Sequence, residues 1–241
     1  QKKLPFHENL KNKGACFGQV AGFERPMWFA LNGSKPEYNY SYGYQNWYKS
    51  VEYETINTRK HVGIFDLSAF AKFEVKGINA FSDLQLLCSN NIKNVPGKTT
   101  YTQMLNNKGG IEADLTVTCI NLNLFRIVTG SAVREHDKKH ILRHVSEDTI
   151  IKDITDELVC FGIFGPKSRN LLTEIFGNYF SAKEFLFGTG KEIKFQEITL
   201  WFQRLSYVGE LGWEIYIPIE ESKRIYELIT SLEKKYNLVH A

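Results

Sequence analysis

The stretch LVCFGIFG, residues 158–165, carries no charged side chain and no side chain that hydrogen-bonds strongly. A continuous apolar run of that length reads as a β-strand buried on both faces, because a strand with one wet face alternates. Such a strand must have neighbours at its edges and cover above and below. Around it the patterning is mixed. In FDLSAFAKFEVKG, Ala69, Ala71, Phe73 and Val75 alternate with Phe70, Lys72, Glu74 and Lys76, which predicts a half-buried strand with its polar side out. Asn79 stands where it caps a helix carrying Phe81, Leu84 and Leu87 and ending near residue 90. A strand over 100–105 leads through the turn NNKGG into IEADLTVTCI, where Leu115, Val117 and Cys119 share a face; LFRIVTG pairs back through the turn 121–123. Ser131 is placed to cap a helix reaching about residue 145.

After the apolar strand, Gly165-Pro166 opens a helix with Leu171, Leu172 and Ile175, stopped by Gly177. Strands are expected over 198–208 and 213–218, and a last helix over 220–235. Strands and helices alternate irregularly, with adjacent hairpins. The class is therefore α+β with mixed and antiparallel sheets, not a doubly wound sheet. The reading divides the chain into an irregular, aromatic-rich arm over 1–50, a first α+β subdomain over 51–148 and a second over 149–241.

Charge narrows the function. Thirty basic and 27 acidic side chains leave a net charge of +3, and the lysines are scattered. No basic run long enough for nucleic acid occurs, although a slightly positive field suits a small anion. Cys16, Cys88, Cys119 and Cys160 form no C-x-x-C pair, and three lie in apolar stretches; they read as reduced core thiols. No segment has the apolar length of a membrane span, and the basic start QKKLPFHENLKNKG lacks the apolar stretch of a secretory signal. The expected location is the cytoplasm, or the mitochondrial matrix in a eukaryote.

Three constellations bear on chemistry. In RLSYVGELGWEIYIP, a hairpin loop at residues 209–212 would set Val208 opposite Trp213 and Tyr207 opposite Glu214. Tyr207 and Glu214 would then share one face while Trp213, Ile215 and Ile217 enter the core. A carboxylate so placed either accepts two parallel N–H bonds from a guanidine-like edge, as a pterin presents, or is a solvated acid on an outer face. In GGIEADLTV, Asp114 follows a glycine turn. It either stabilises that turn or stands over a reacting amine, where it offsets developing positive charge or takes a proton; Glu112 is a nearby competitor for the role. His136, His140 and His144 share a helical face, but Lys138, Lys139 and Arg143 surround them and the Glu of a zincin motif is missing, so a solvated basic face is expected and no metal. No P-loop, no dinucleotide fingerprint after a strand and no G-x-S-x-G elbow is present.

The segments AGFERPMWFA, SYGYQNWY, HVGIFDLSAFAKFEVKG, GGIEADLTV, FGIFGPKSRNLL, FGTGKEI and YVGELGWEIYIP together resemble the folate-binding region of the dimethylglycine and sarcosine dehydrogenases. That region is itself similar to the T-protein, the aminomethyltransferase of the glycine cleavage system. The resemblance spans nearly the whole chain in order, and ERPMWF and SYGYQNWY favour the dehydrogenase-linked branch. It implies three subdomains around a tetrahydrofolate site, of which this chain is expected to supply the first two. It implies that Asp114 is the catalytic carboxylate, that Glu214 binds the pterin and that Tyr207 lines the folate site. A further folate-contacting Arg falls beyond the last residue, as does the third subdomain, so the chain is expected to be part of a longer protein. The implied activity is transfer of a one-carbon unit from an N-methyl amine to tetrahydrofolate, giving 5,10-methylenetetrahydrofolate. FAD is expected only if a separate upstream domain carries it, in which case a flavin-dependent oxidase domain or subunit is the partner. The alternatives are a folate-dependent demethylase of another methylated small molecule and a non-catalytic folate-binding module.

Overall fold

A computed structural model describes residues 1–31 and 33–241. Its elements run α1 (His7–Asn12), β1 (Ala15–Val20), β2 (Phe23–Phe29), α2 (Tyr48–Lys60), β3 (Val62–Asp66), β4 (Ala71–Lys76), α3 (Ala80–Leu87), β5 (Thr99–Leu105), β6 (Ile111–Asn121) and β7 (Leu124–Thr129). They continue with α4 (Arg134–Leu142), β8 (Ile150–Asp153), β9 (Leu158–Phe164), α5 (Ser168–Phe176), β10 (Gly190–Phe195), β11 (Ile198–Gln203), β12 (Gly212–Pro218), α6 (Ser222–Thr230), α7 (Glu233–Tyr236) and β13 (Leu238–His240). Helices mixed with antiparallel and mixed sheets make this an α+β fold, as expected. None of the helices is long and apolar enough to cross a membrane among the described residues.

The compact units are not the consecutive blocks 1–50, 51–148 and 149–241. One unit joins Gln1–Ser68, Val159–Leu186 and Glu192–Ala241; the other is Ala69–Leu158 with Phe187–Lys191. Long-range strand pairing is the reason. β9 pairs antiparallel with β3, some hundred residues earlier, and β8 pairs with β4. A boundary drawn along the chain cannot express either pairing.

In the first unit a six-stranded sheet has the order β10-β11-β12-β9-β3-β13. β9 lies between two other strands, and every residue from Val159 to Phe164 is buried, which is what its unbroken apolar run required. β13 runs parallel to β3. Trp213, Ile215 and Ile217 of β12 join Phe161 and Ile163 of β9, Leu171 and Leu172 of α5, and Ile225 and Ile229 of α6 in one core. Helix α5 ends where the sequence placed its stop, at Gly177 with φ 95°.

The arm is less irregular than expected. Residues 1–29 form α1 and the β1–β2 hairpin, and Phe6, Leu10, Ala15 and Phe29 enter the same core. The hairpin turns on Ala21 and Gly22, both at positive φ (48° and 85°). Only one of those two residues is a turn former, so the usual signal was halved. Residues 33–47 contain no helix or strand.

In the second unit the sheet order is β5-β6-β7-β4-β8, with antiparallel neighbours. Ala71, Phe73 and Val75, Leu115 and Val117, and Phe125 and Ile127 bury one face against Ala80 and Leu84 of α3 and Ile141 of α4. Two local expectations change. Ser131 begins a short 3₁₀ turn and makes no cap bond; α4 starts at Arg134 and ends at Leu142. The polar side of β4 is only partly in water: Lys76 is exposed and Glu74 half-buried, but Lys72 is fully buried, and its Nζ donates to the Phe70 carbonyl at 2.7 Å. A period of two identifies the faces of a strand but not what covers them.

Candidate functional site

Strands β11 and β12 pair Trp201 with Tyr216, Phe202 with Ile215 and Gln203 with Glu214. This corrects the predicted register. Tyr207 is not opposite Glu214, and Val208 is not opposite Trp213. β11 stops at Gln203, and residues 204–211 form an eight-residue loop where four were expected. Tyr207 sits in that loop with 69% of its surface exposed. Gln203 takes the cross-strand place next to Glu214.

The alternation of β12 is as expected. Trp213, Ile215 and Ile217 face the core, so Glu214 and Tyr216 point to the other face. That face is not solvated: Glu214 is 5% exposed, Tyr216 2% and Gln203 1%. The reading of Glu214 as a solvated outer-face acid is therefore excluded. A buried carboxylate needs donors. Tyr216 Oη donates to Glu214 Oε2 at 2.6 Å, and on β11 Trp201 Nε1 donates to Gln203 Oε1 at 3.1 Å. An acid, a phenol, an amide and an indole N–H thus occupy one face of two paired strands. Tyr216 was within reach of sequence reasoning, being two residues from Glu214 in a strand. Gln203 and Trp201 depended on a register the sequence does not show.

In the second unit, Asp114 stands on β6 directly opposite Gln103 of β5. Its two oxygens are divided: Oδ1 accepts from Gln103 Nε2 at 2.8 Å and Oδ2 from Tyr101 Oη at 3.0 Å. The neighbouring carboxylate raises the Tyr101 phenol above its ordinary value, since ionising it would cost that hydrogen bond. Asp114 is exposed. The glycine turn is stabilised by Asn106 instead, whose Oδ1 accepts from the N–H groups of Lys108 and Gly110, both at 2.9 Å. Asp114 is thereby released from the turn role that the sequence left open. Glu112 is engaged on the turn side, where Asn106 Nδ2 donates to it at 2.9 Å and His136 Nε2 lies 3.3 Å away; the Asn106 bond leads in holding its carboxyl below the usual range.

On α4, His136 also contacts Asp137 at 2.9 Å, which leads in raising its imidazole, while burial leads in lowering that of His140. The rings of His140 and His144 lie tilted against each other with centroids 4.6 Å apart. Among the described residues no three His, Cys, Asp or Glu side chains converge as a metal-holding group. The four cysteines are buried and free of disulfides.

The arrangement of these sheets and helices is that of an aminomethyltransferase-type domain. The solved structure of the glycine cleavage system aminomethyltransferase T from Bartonella henselae shares the fold, with a TM-score of 0.80 over 100% of this chain and 59% of that one, at 24% identity. A family model for the GCVT N-terminal domain matches residues 6–241, and the chain belongs to that family. It is 37% identical over 89% of its length to a 4-methylaminobutanoate oxidase (formaldehyde-forming) of Paenarthrobacter nicotinovorans. It is 37% identical over 95% of its length to the mitochondrial dimethylglycine dehydrogenase of Rattus norvegicus. The chain spans only 26% and 27% of those two relatives.

Proposed function

We propose that this domain binds tetrahydrofolate and delivers to it a one-carbon unit taken from an N-methyl amine, yielding 5,10-methylenetetrahydrofolate. The observation that carries the reading is Glu214: a buried carboxylate on the non-core face of β12, held by Tyr216 and flanked across the strands by Gln203. The names of the relatives, a dimethylglycine dehydrogenase and a methylaminobutanoate oxidase, support an N-methylated amine as the donor class. Their greater length supports a flavin-dependent oxidase domain or subunit as the partner that oxidises it, with FAD bound there.

The donor set fits the ligand. A pterin ring carries adjacent N–H groups along one edge, and a carboxylate accepts two such bonds side by side. Tetrahydrofolate, when bound, supplies a nucleophilic amine for the one-carbon unit. Glu214 would orient the ring, Tyr216 would orient Glu214, and Tyr207 would cover the ring from the loop. Asp114 acts separately. Tyr101 and Gln103 fix its two oxygens in place, so it offers a preorganised negative charge to nitrogens that become cationic as the carbon is transferred. Holding amine and carbon in attack geometry supplies much of the rate.

Calorimetric titration of tetrahydrofolate into the chain and into its Glu214→Ala variant tests the reading. Binding by the parent and its loss in the variant are expected. Equal affinities would remove Glu214 from the pterin and the reading with it.

A further inference from the structure

The imidazole of His136, on the first turn of α4, stands between two acids within the second unit. Its Nδ1 lies 2.9 Å from Asp137 Oδ1, and its Nε2 lies 3.3 Å from Glu112 Oε2 on β6. Both partners are carboxylates, which accept and do not donate. Both ring nitrogens must therefore carry hydrogen for the two contacts to hold together, and that form is the imidazolium. The contacts continue beyond each acid. Asp137 is fully buried, and its Oδ2 accepts from the Thr129 hydroxyl of β7 at 2.5 Å. That hydroxyl also lies 3.5 Å from the main-chain carbonyl oxygen of Asp114. On the other side, Glu112 Oε1 accepts from Asn106 Nδ2, and Asn106 Oδ1 holds the N–H groups of the glycine turn. Asp114 is two residues along β6 from Glu112. The chain of contacts thus touches that strand at Glu112 and again at Asp114 itself.

We propose that His136, doubly protonated, is a positioning residue that clasps α4 to β6 beside Asp114, and that loss of one proton opens the clasp. A neutral imidazole has a single N–H. The fully buried Asp137 keeps it, because a carboxylate out of water cannot replace a lost donor with solvent. The bare Nε2 then faces Glu112 Oε2, lone pair against lone pair, and that end lets go. The Glu112 side chain is 27% exposed and turns to water instead. The charged and titratable groups facing His136 are Asp137 and His140 from its own helix and Glu112 from β6. The hydrogen bond to Asp137 leads in raising the imidazole above its ordinary 6.5, and Glu112 adds to the rise. The clasp is therefore complete below 6.5 and is lost as the pH climbs through the raised value. His140 does not take over the charge, since burial leads in lowering its imidazole. The clasp stands on geometry within one unit; its bearing on turnover rests on the role proposed above for Asp114.

Imidazole resonances of the chain, followed by NMR against pH, test the clasp. His136 should titrate above 6.5, and its neutral form should carry hydrogen on Nδ1. Glu112→Gln should move the midpoint down. A midpoint at or below 6.5, or one that Glu112→Gln leaves in place, overturns the clasp. The main-chain amide of Asp114 should shift at the same midpoint in the parent and not in His136→Arg, whose guanidinium stays charged and offers hydrogen to both acids. An Asp114 amide blind to that midpoint overturns the positioning role. Single-turnover kinetics reads the consequence. From pH 6 to pH 9 the ratio of the parent's rate to that of His136→Arg should fall about threefold, the worth of one half-exposed ion pair. The ratio of their tetrahydrofolate affinities should stay constant. A rate ratio that does not change with pH overturns the bearing of His136 on the reaction. Absence of turnover in both proteins refutes the proposed function instead, and the Asp114 amide still decides whether His136 positions its strand.

Discussion

Tyr216 and Glu214 stand two residues apart on β12, and the phenol donates to the carboxylate at 2.6 Å in a place where neither is more than 5% exposed. Removing that hydroxyl takes one donor from a buried acid. Tyr216→Phe should destabilise the domain by about 1–3 kcal/mol, the worth of a hydrogen bond to a carboxylate. It should also weaken tetrahydrofolate binding several-fold, because the acid loses its fixed orientation. Denaturant titration and calorimetry measure the two effects; a stability equal to the parent's would mean the bond contributes nothing.

Tyr207 gives a contrasting expectation. It lies in the loop and is 69% exposed, so Tyr207→Ala should leave the melting temperature within about a degree, as exposed substitutions do. Its effect should be confined to tetrahydrofolate affinity. A large loss of stability would restore the paired-strand register that the structure replaces.

Asp114 should separate rate from binding. Asp114→Asn keeps the size of the side chain, exchanges one of its two acceptors for a donor that the Tyr101 hydroxyl can accept by rotating, and removes the charge that offsets a developing cation. Turnover should fall at least a hundredfold with little change in tetrahydrofolate affinity, since the lost interaction belongs to the transition state. Tyr101→Phe should give a smaller fall of the same kind by loosening one oxygen. Single-turnover kinetics with a one-carbon donor reads both; an unchanged rate in Asp114→Asn removes it from the chemistry.

Glu54 ties stability to pH. Burial raises its folded carboxyl to about 7 from an ordinary value of 4.5, so between those values the folded state holds a proton that the unfolded chain has released. Its contribution is greatest below pH 4.5 and is lost as the pH rises through 7, a change of about 2 kcal/mol after allowance for screening. Glu54→Gln should remove that decline. Chemical denaturation at pH 5 and pH 8 compares the slopes; identical pH dependence in parent and variant would place Glu54 in water.

Gly212 fixes how closely β12 approaches β9. A Cβ there would fall 2.5 Å from the Ile163 carbonyl oxygen and 2.3 Å from a ring carbon of Phe164. The oxygen belongs to the main chain and cannot step aside. Gly212→Ala should cost about 1–3 kcal/mol through overpacking and should disturb Glu214, two residues on. Thermal unfolding and tetrahydrofolate titration of the variant test this together.

Local rules carried much of the fold. The unbroken apolar run of β9 required a place inside a sheet. Alternation in β12 put Trp213, Ile215 and Ile217 in the core and therefore Glu214 on the opposite face. Gly177 ended α5, and the turn between β6 and β7 was readable from Asn121 and Asn123. Each of these depends on residues a few positions apart, so a linear reading can see it. The tertiary structure alone decided what spans the chain: the slip that exchanges Tyr207 for Gln203 beside Glu214, the pairing of β3 with β9 that interleaves the two units, the burial of Lys72 on a strand face that looked wet, and the meeting of His136 with Glu112. Register and burial are set by the best simultaneous packing of distant segments. A pattern of period two or 3.6 names the face of an element but not its neighbour.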